Sequence, residues 1–243
     1  KNARTVISSN NSDSFKAFVR DLTDELHIEL GFEVKKDEEL EIKEVRDTIN
    51  KLRAKNLDDD SFIKKFSDIF KENKMESISE GTFFSSILFI SALDETNKIE
   101  IFLEKFENAE SPQMQGRYRA VLGQVRDQNA SKKIVEFMID GRIRGADCPY
   151  ILASMITNKY IGKKSWKVIK ENFNDLLSVM PDWTASRILD ALPAIYDEEF
   201  AGDIKNFIKK NPLPSSEKLA AQKLERLEAN IEFMDNSLVF TVH

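Results

Sequence analysis

The sequence predicts an all-α fold, a superhelical array of antiparallel helix hairpins of the HEAT/ARM-like kind. Apolar residues recur at helical spacing nearly end to end, with no convincing two-residue alternation in the body of the chain. Only 8 glycines and 6 prolines occur in 243 residues, few for sheet folds, which consume glycine in their turns. Helix pairs recur roughly every 35–45 residues, the spacing of helical-repeat solenoids. The repeats share no visible identity, so a compact irregular bundle is the alternative.

Asp13-Ser14 is an N-cap region for a first helix carrying Phe15, Phe18, Val19, Leu22 and Leu26. Lys35 to Glu44 is highly charged and reads as an exposed loop and helix entry. Leu40, Val45, Ile49 and Leu52 form a second stripe; Phe62, Ile63, Phe66, Ile69 and Phe70 form a third. From Thr82 to Leu93 the chain is apolar nearly all round, which places that helix at the centre of a core. The same stretch is too short to span a bilayer. Ile99, Phe102, Leu103 and Phe106 mark the next helix. Pro112 suits the first turn of another, where its missing N–H would be unpaired anyway; Met114, Tyr118, Val121, Leu122 and Val125 follow.

In the second half Ile134, Phe137 and Met138 mark one helix, and Pro149, Ile151, Leu152 and Met155 the next. Trp166, Ile169, Phe173, Leu176 and Met180 make one stripe that Pro181 stops. Trp166 and Phe173 are expected on one face of that helix, in the core, and Trp183 is likewise read as a packing residue. Ile188, Leu189 and Leu192 come next, then Phe200, Ile204, Phe207 and Ile208. Asn211-Pro212-Leu213-Pro214 is a breaker, and a last helix starts near Ser215 with Leu224, Leu227, Ile231 and Met234. Leu238 to Val242 has strand-like composition but no obvious partner. About a dozen helices result. They are read as a single domain over 1–243, with 236–243 as a possible tail.

Hydrophobic residues make up 41% and charged residues 32%, a soluble globular balance. The net charge of −6, with no dominant basic stripe, argues against nucleic-acid binding. No targeting signal is seen, and a cytoplasmic location is expected. The chain begins with Lys1 rather than Met, so a processed form or a piece of a longer protein is expected.

Cys148, the single cysteine, excludes an internal disulfide framework and argues against a thiolate zinc site. His27 and His243 leave little for metal or acid–base chemistry. His27 sits between Glu25 and Glu29 without a second histidine at four-residue spacing, and is expected as an exposed or half-buried helix residue. A Cys148–His27 dyad is conceivable, but nothing in the sequence brings the two together. Gly141-Arg142-Ile143-Arg144-Gly145 reads either as an anion site or as an inter-helix turn whose arginines meet nearby acids.

Further residues fall in a familiar order. Arg144-Gly145-Ala146-Asp147 is followed by Asn158, Gly162, Trp166 and Glu171-Asn172-Phe173, then Phe207, then Gln222, Glu225 and Asn230. Earlier, Phe18-Val19 leads to Leu30-Gly31-Phe32, and Glu44-Val45-Arg46 follows. Over about residues 14–235 this resembles the C-terminal helical domain of zinc aminopeptidases of the aminopeptidase N and oxytocinase type. In that family a basic residue leads into a Gln-Asp or Gln-Glu pair. An Asn and a Gly in an inter-helix loop follow, then a Trp, an Asn-Trp and a closing Gln…Glu…Asn helix. Here Ala146 stands where Gln is usual, and Phe173 where Trp is usual.

The resemblance implies a non-catalytic domain that walls and gates the peptide-substrate chamber of a zinc aminopeptidase. The family's zinc site, H-E-x-x-H with a downstream Glu, and its G-x-M-E-N segment are absent from this sequence. The chain alone is therefore expected to be inactive and free of cofactor, with zinc in the missing catalytic domain. The implied partners are that catalytic domain and a peptide, with no nucleic acid and no membrane. Arg144, Asp147, Asn158 and Lys159 are the candidate groove residues, on the expectation that two neighbouring inter-helix turns converge. A fixed cation, an anion near a helix N-terminus and a mobile cation suit peptide carbonyls, amides and a carboxylate. The plainer alternative is that Arg144 and Asp147 pair with each other. A different function is a stand-alone helical-repeat scaffold that binds a protein partner on its concave face.

Overall fold

The computed structural model describes residues 12–35, 37–72, 81–213 and 216–235. The strand-like stretch Leu238–Val242, His243, the Pro214–Ser215 helix entry and the Met234 side chain lie outside what it describes. Among the described residues the fold is all-α, with thirteen α-helices, one 3₁₀ segment and no strand. They gather into two compact units that meet in sequence at Arg126–Asp127.

The first unit holds α1 (Ser12–Leu30), α2 (Leu40–Asn56), α3 (Asp60–Lys71), α4 (Gly81–Ser91), α5 (Ile99–Glu107) and α6 (Pro112–Leu122). Each odd-numbered helix packs on the even one that follows, and α4 packs on both α2 and α6. α4 is the central element, as its all-round apolarity predicts: Phe84, Ile87, Leu88 and Ile90 are all buried. Helix starts follow the capping chemistry. The Asp59 carboxylate accepts from the Phe62 N–H at 3.0 Å, opening α3. Ser111 accepts from the Met114 N–H at 3.2 Å, with Pro112 in the first turn of α6.

Polar groups close the first hairpin. Gly31 turns the chain at φ +69°, a conformation glycine adopts without steric cost, and its N–H donates to the His27 carbonyl. The Arg46 guanidinium is buried; it donates to both Glu38 carboxylate oxygens and, through Nε at 3.3 Å, to the Leu30 carbonyl. Asn50 donates to the Phe32 carbonyl at 3.0 Å, while the Phe32 ring meets Phe66 edge-on. Leu30-Gly31-Phe32 and Arg46, two of the resemblance motifs, are thus one joint. The α1 and α2 stripes are less buried than their spacing predicts. Val19 and Ile49 are in the core, whereas Phe18, Leu22, Leu26, Leu40 and Val45 are exposed. The apolar arc on this hairpin is wider than the contact it makes within the unit.

The second unit holds α7 (Ala130–Ile139), α8 (Cys148–Ile156), α9 (Gly162–Glu171), α10 (Phe173–Val179), α11 (Asp182–Ala185), the 3₁₀ segment Ser186–Ala194, α12 (Glu198–Lys210) and α13 (Glu217–Asp235). α7 packs on α9 and α10, and α8 packs on α9 and the 3₁₀ segment. The 3₁₀ segment packs on α13, which also meets α12. The Trp166-to-Met180 stripe is not one helix. The ladder breaks at Asn172 (φ −117°, ψ 20°), so Trp166 and Phe173 lie on successive helices. Both are buried, as expected, and both meet the ring of Phe207 edge-on, at 5.3 and 5.0 Å between centroids. The Ile188–Leu192 stretch winds as a 3₁₀ helix with Pro193 inside it, where proline cannot donate to an α-helical ladder. Asn230 of α13 donates to the Pro193 carbonyl at 2.8 Å, which ties the last helix to this segment.

Candidate functional site

Gly141 leaves α7 at φ +74°. The Gly141 N–H donates to the Met138 carbonyl and the Arg142 N–H to that of Phe137, the paired bonds that end a helix at a left-handed glycine. The Arg142 guanidinium then lies over the Phe137 ring, 3.4 Å from its centroid. Gly145 has no room for a side chain: a Cβ would stand 1.9 Å from the Val179 carbonyl oxygen. This contact seats the turn before α8 against the end of α10.

Arg144 leaves that turn with its side chain 76% exposed and grips Asp147, 15% exposed, with two donors. Nε is 2.9 Å and Nη2 3.3 Å from the carboxylate oxygens. Of the two readings of Gly141–Gly145, the geometry is that of an inter-helix turn whose arginines meet a ring and an acid. The sequence placed Asp147 beside a helix N-terminus, and it is the N-cap position of α8, yet its side chain makes no capping bond there. It holds Arg144 instead.

At the other end of α8, Asn158 is buried and shapes the next turn. Its side chain accepts from the Tyr160 N–H at 2.9 Å, and its carbonyl accepts from the Gly162 N–H at 2.8 Å. A Cβ on Gly162 would stand 2.4 Å from the Ile156 carbonyl oxygen, so the start of α9 packs on the end of α8 through a glycine. The Lys159 ammonium lies 4.5 Å from the Tyr160 ring centroid. The four candidate residues therefore form two pairs at opposite ends of one helix. The nine residues of α8 span about 13 Å at ~1.5 Å per residue. The two turns do not converge on one point, because α8 itself lies between them.

Cys148 is buried, its thiol directed at the Arg144 carbonyl at 3.4 Å; burial, with Asp147 adding to it, pushes its pKa up to about 12. His27 belongs to the first unit and Cys148 to the second. His27 is half-buried, its ring edge-on to Phe62 at 5.4 Å. Its Nδ1 is buried without a hydrogen-bond partner, and burial, with Arg53 nearby, lowers its pKa. Among the described residues no three His, Cys, Asp or Glu side chains are placed to hold a metal ion, and no helix is long and apolar enough to cross a membrane.

Two features of the second unit escape the sequence pattern. Trp183 was expected to pack, yet it is 75% exposed, because α11 buries Thr184 and Ala185 and turns the indole outward. Trp183 lies on no apolar stripe, the one available signal. Asp203 on α12 accepts from the Trp166 indole N–H at 3.0 Å and from Lys170 at 2.5 Å. It pairs with groups more than thirty residues away, which no local pattern discloses. The motif residues of the second half thus have structural roles: Gly145 and Gly162 allow close approach, Asn158 builds a turn, Trp166 fills the core and Asn230 tethers the last helix. The family model of the ERAP1-like C-terminal domain matches residues 1–229, and the chain belongs to that family.

Proposed function

We propose that this chain is the non-catalytic C-terminal domain of a zinc aminopeptidase, and that it walls the peptide-substrate chamber and gates entry to it. The family match over residues 1–229 carries this reading. The sequence supports it by lacking H-E-x-x-H and by holding only two histidines, too few for a three-ligand catalytic zinc site. Zinc, peptide hydrolysis and a cytoplasmic location then belong to the longer protein, and the partner of this domain is the catalytic domain. Closing a hinged domain over a cleft excludes water and selects substrates by size.

Within this reading Arg144 and Asp147 form one contact point of the groove, and Lys159, carried by the turn that Asn158 shapes, forms another. The ~13 Å between them corresponds to roughly four residues of extended peptide. A long peptide spans both points and a short one does not. Arg144, highly exposed and already oriented by Asp147, offers its remaining donors to a carbonyl or a carboxylate. The test uses the whole enzyme. Arg144→Ala and Lys159→Ala should each raise KM for peptides of about six or more residues roughly 3- to 10-fold, the loss of one charge-assisted contact. An aminoacyl-arylamide substrate should be nearly unaffected. Equal effects on both substrates would mean general loss of packing and would refute the groove.

A further inference from the structure

The exposed apolar surface of the described residues is concentrated on one hairpin. Among the described residues nine large hydrophobic side chains are exposed, and seven of them lie on the α1/α2 hairpin; the other two are Tyr150 and Trp183. On α1, Phe18, Leu22 and Leu26 stand four residues apart and share one face, beside the buried Val19 and Thr23. Arg46 at the Leu30 carbonyl and Arg53 at Thr23 and Asp24 set the antiparallel register of the hairpin. That register places Val45 of α2 beside the Leu30 end of α1 and Ile42 about one turn further on; both are exposed. Exposed single hydrophobics are ordinary; a cluster on one hairpin marks a contact surface.

The surface has a charge signature too. Asp21, Glu25 and Glu29 repeat at the same four-residue spacing alongside the α1 stripe, and Glu41 and Glu44 flank Val45; all five are exposed. Residues 13–45 carry eleven carboxylates against five Lys and Arg. Two copies of this face brought together would oppose acidic rim to acidic rim, which disfavours self-association. A complementary partner carries apolar side chains ringed by Lys and Arg.

We propose that the outer face of the α1/α2 hairpin is an interdomain docking surface, covered by the domain that precedes this one, through an apolar patch with a basic rim. The inference rests on the reading of this chain as the C-terminal part of a longer enzyme. A domain joined on its N-terminal side is tethered on the side from which α1, the first described helix, starts, and tethering raises its effective concentration at this face.

Cysteine labelling tests the proposal, because the native Cys148 is buried and its thiol is held protonated. Leu22→Cys and, as a control, Glu110→Cys are made both in the 243-residue chain and in the longer protein. Maleimide labelling is read peptide by peptide by mass spectrometry. Leu22→Cys should label at least tenfold more slowly in the longer protein, and Glu110→Cys at similar rates in both. Adding Asp21→Lys and Glu25→Lys should speed labelling of Leu22→Cys in the longer protein at least threefold. Equal rates for Leu22→Cys in the two proteins overturn the docking face. No effect of the charge reversals overturns the basic rim. Shielding that grows with the concentration of the isolated chain names a second copy as the occupant and also overturns the proposal. A longer protein that shields Leu22→Cys but has no zinc-dependent aminopeptidase activity would refute the functional reading while supporting the docking face. Activity without shielding would do the reverse.

Discussion

The joint between α1 and α2 and the joint between α9 and α12 are both built around a long side chain that is 1% exposed. At the first the side chain is Arg46, whose donors are taken up by Glu38 and the Leu30 carbonyl. At the second it is Trp166, whose ring meets Phe207 while its N–H reaches Asp203 at the surface. The ionic joint is directional: it fixes which carbonyl and which carboxylate come together, and it depends on the protonation of Glu38. The aromatic joint gains from area and asks for one hydrogen bond at its rim. The consequences differ at the surface as well. A hairpin closed by polar groups needs little of its apolar arc for closure, and α1 and α2 leave much of theirs exposed. Among the described residues of the second unit, which is closed by rings, the large apolar side chains left exposed are the separate Tyr150 and Trp183.

The largest expected effect falls on the aromatic joint. Trp166→Ala should destabilise the protein by roughly 3–5 kcal/mol, because it deletes a fully buried indole and leaves a cavity against Phe207. Urea denaturation followed by circular dichroism measures this, and an unchanged midpoint would refute the buried-ring account. At the ionic joint Arg46→Ala should cost less, about 2–3 kcal/mol, since the freed Glu38 lies near enough to solvent to be rehydrated. A loss larger than that of Trp166→Ala would reverse the ranking of the two joints.

Acid should separate the two units. Hydrogen bonds from Arg46 hold the Glu38 carboxyl below its usual range, and those from Ser61 and from the Phe62 N–H do the same for Asp59. Asp94 is also lowered: burial opposes the shift, but bonds from Ser67 and Thr96 outweigh it. All three lie in the first unit, against Asp197, lowered by Lys163, in the second. A carboxylate with a depressed folded pKa stabilises the fold above its unfolded value, near ~4, and that contribution is lost as pH falls through the folded value. His27 adds in the same direction. Its lowered folded pKa keeps it neutral where the unfolded chain takes up a proton, so stability falls as pH drops below ~6.5. Both tryptophans lie in the second unit and report on it alone. On acidification the helical circular-dichroism signal should begin to fall at a higher pH than tryptophan emission shifts. Glu38→Gln should narrow that gap. Coincident transitions would mean that the units unfold together.

The smallest effect belongs to the other tryptophan. Trp183→Ala should change stability by less than about 0.5 kcal/mol, as at other exposed positions. It should remove the red-shifted part of the emission and leave the blue-shifted part from Trp166. A loss of the blue component would mean that the two indoles have been assigned the wrong environments.

Much of the fold was legible because helical periodicity is a local signal. The all-round apolar stretch before Leu93 is the buried α4, and Pro112 opens a helix as its chemistry dictates. Breaks that leave no proline or glycine were not legible. Asn172 ends α9 within an unbroken apolar stripe, because Phe173 and Trp166 both have to reach Phe207 from successive helices. The candidate site was legible in part. Residue types named Arg144 and Asp147, and their three-residue separation allowed the pair that forms. That Asn158 and Lys159 lie a helix length away was implied by the helix that Pro149, Ile151, Leu152 and Met155 mark between the two turns, whereas the burial of Asn158 follows only from the packing of α8 on α9.

The sequence by itself determined the helical class, the order of the elements, the absence of a zinc motif and the family, because each depends on residues close in the chain or on motif order. Tertiary structure decided which face of each helix is used. It buries Trp166 and leaves Trp183 in solvent, it gives Asp203 its partners on another helix, and it leaves Phe18, Leu22 and Leu26 outside the core that takes Val19. The reason is physical: periodicity states that a helix has an apolar face, whereas how much of that face is covered depends on neighbours that arrive from elsewhere in the chain.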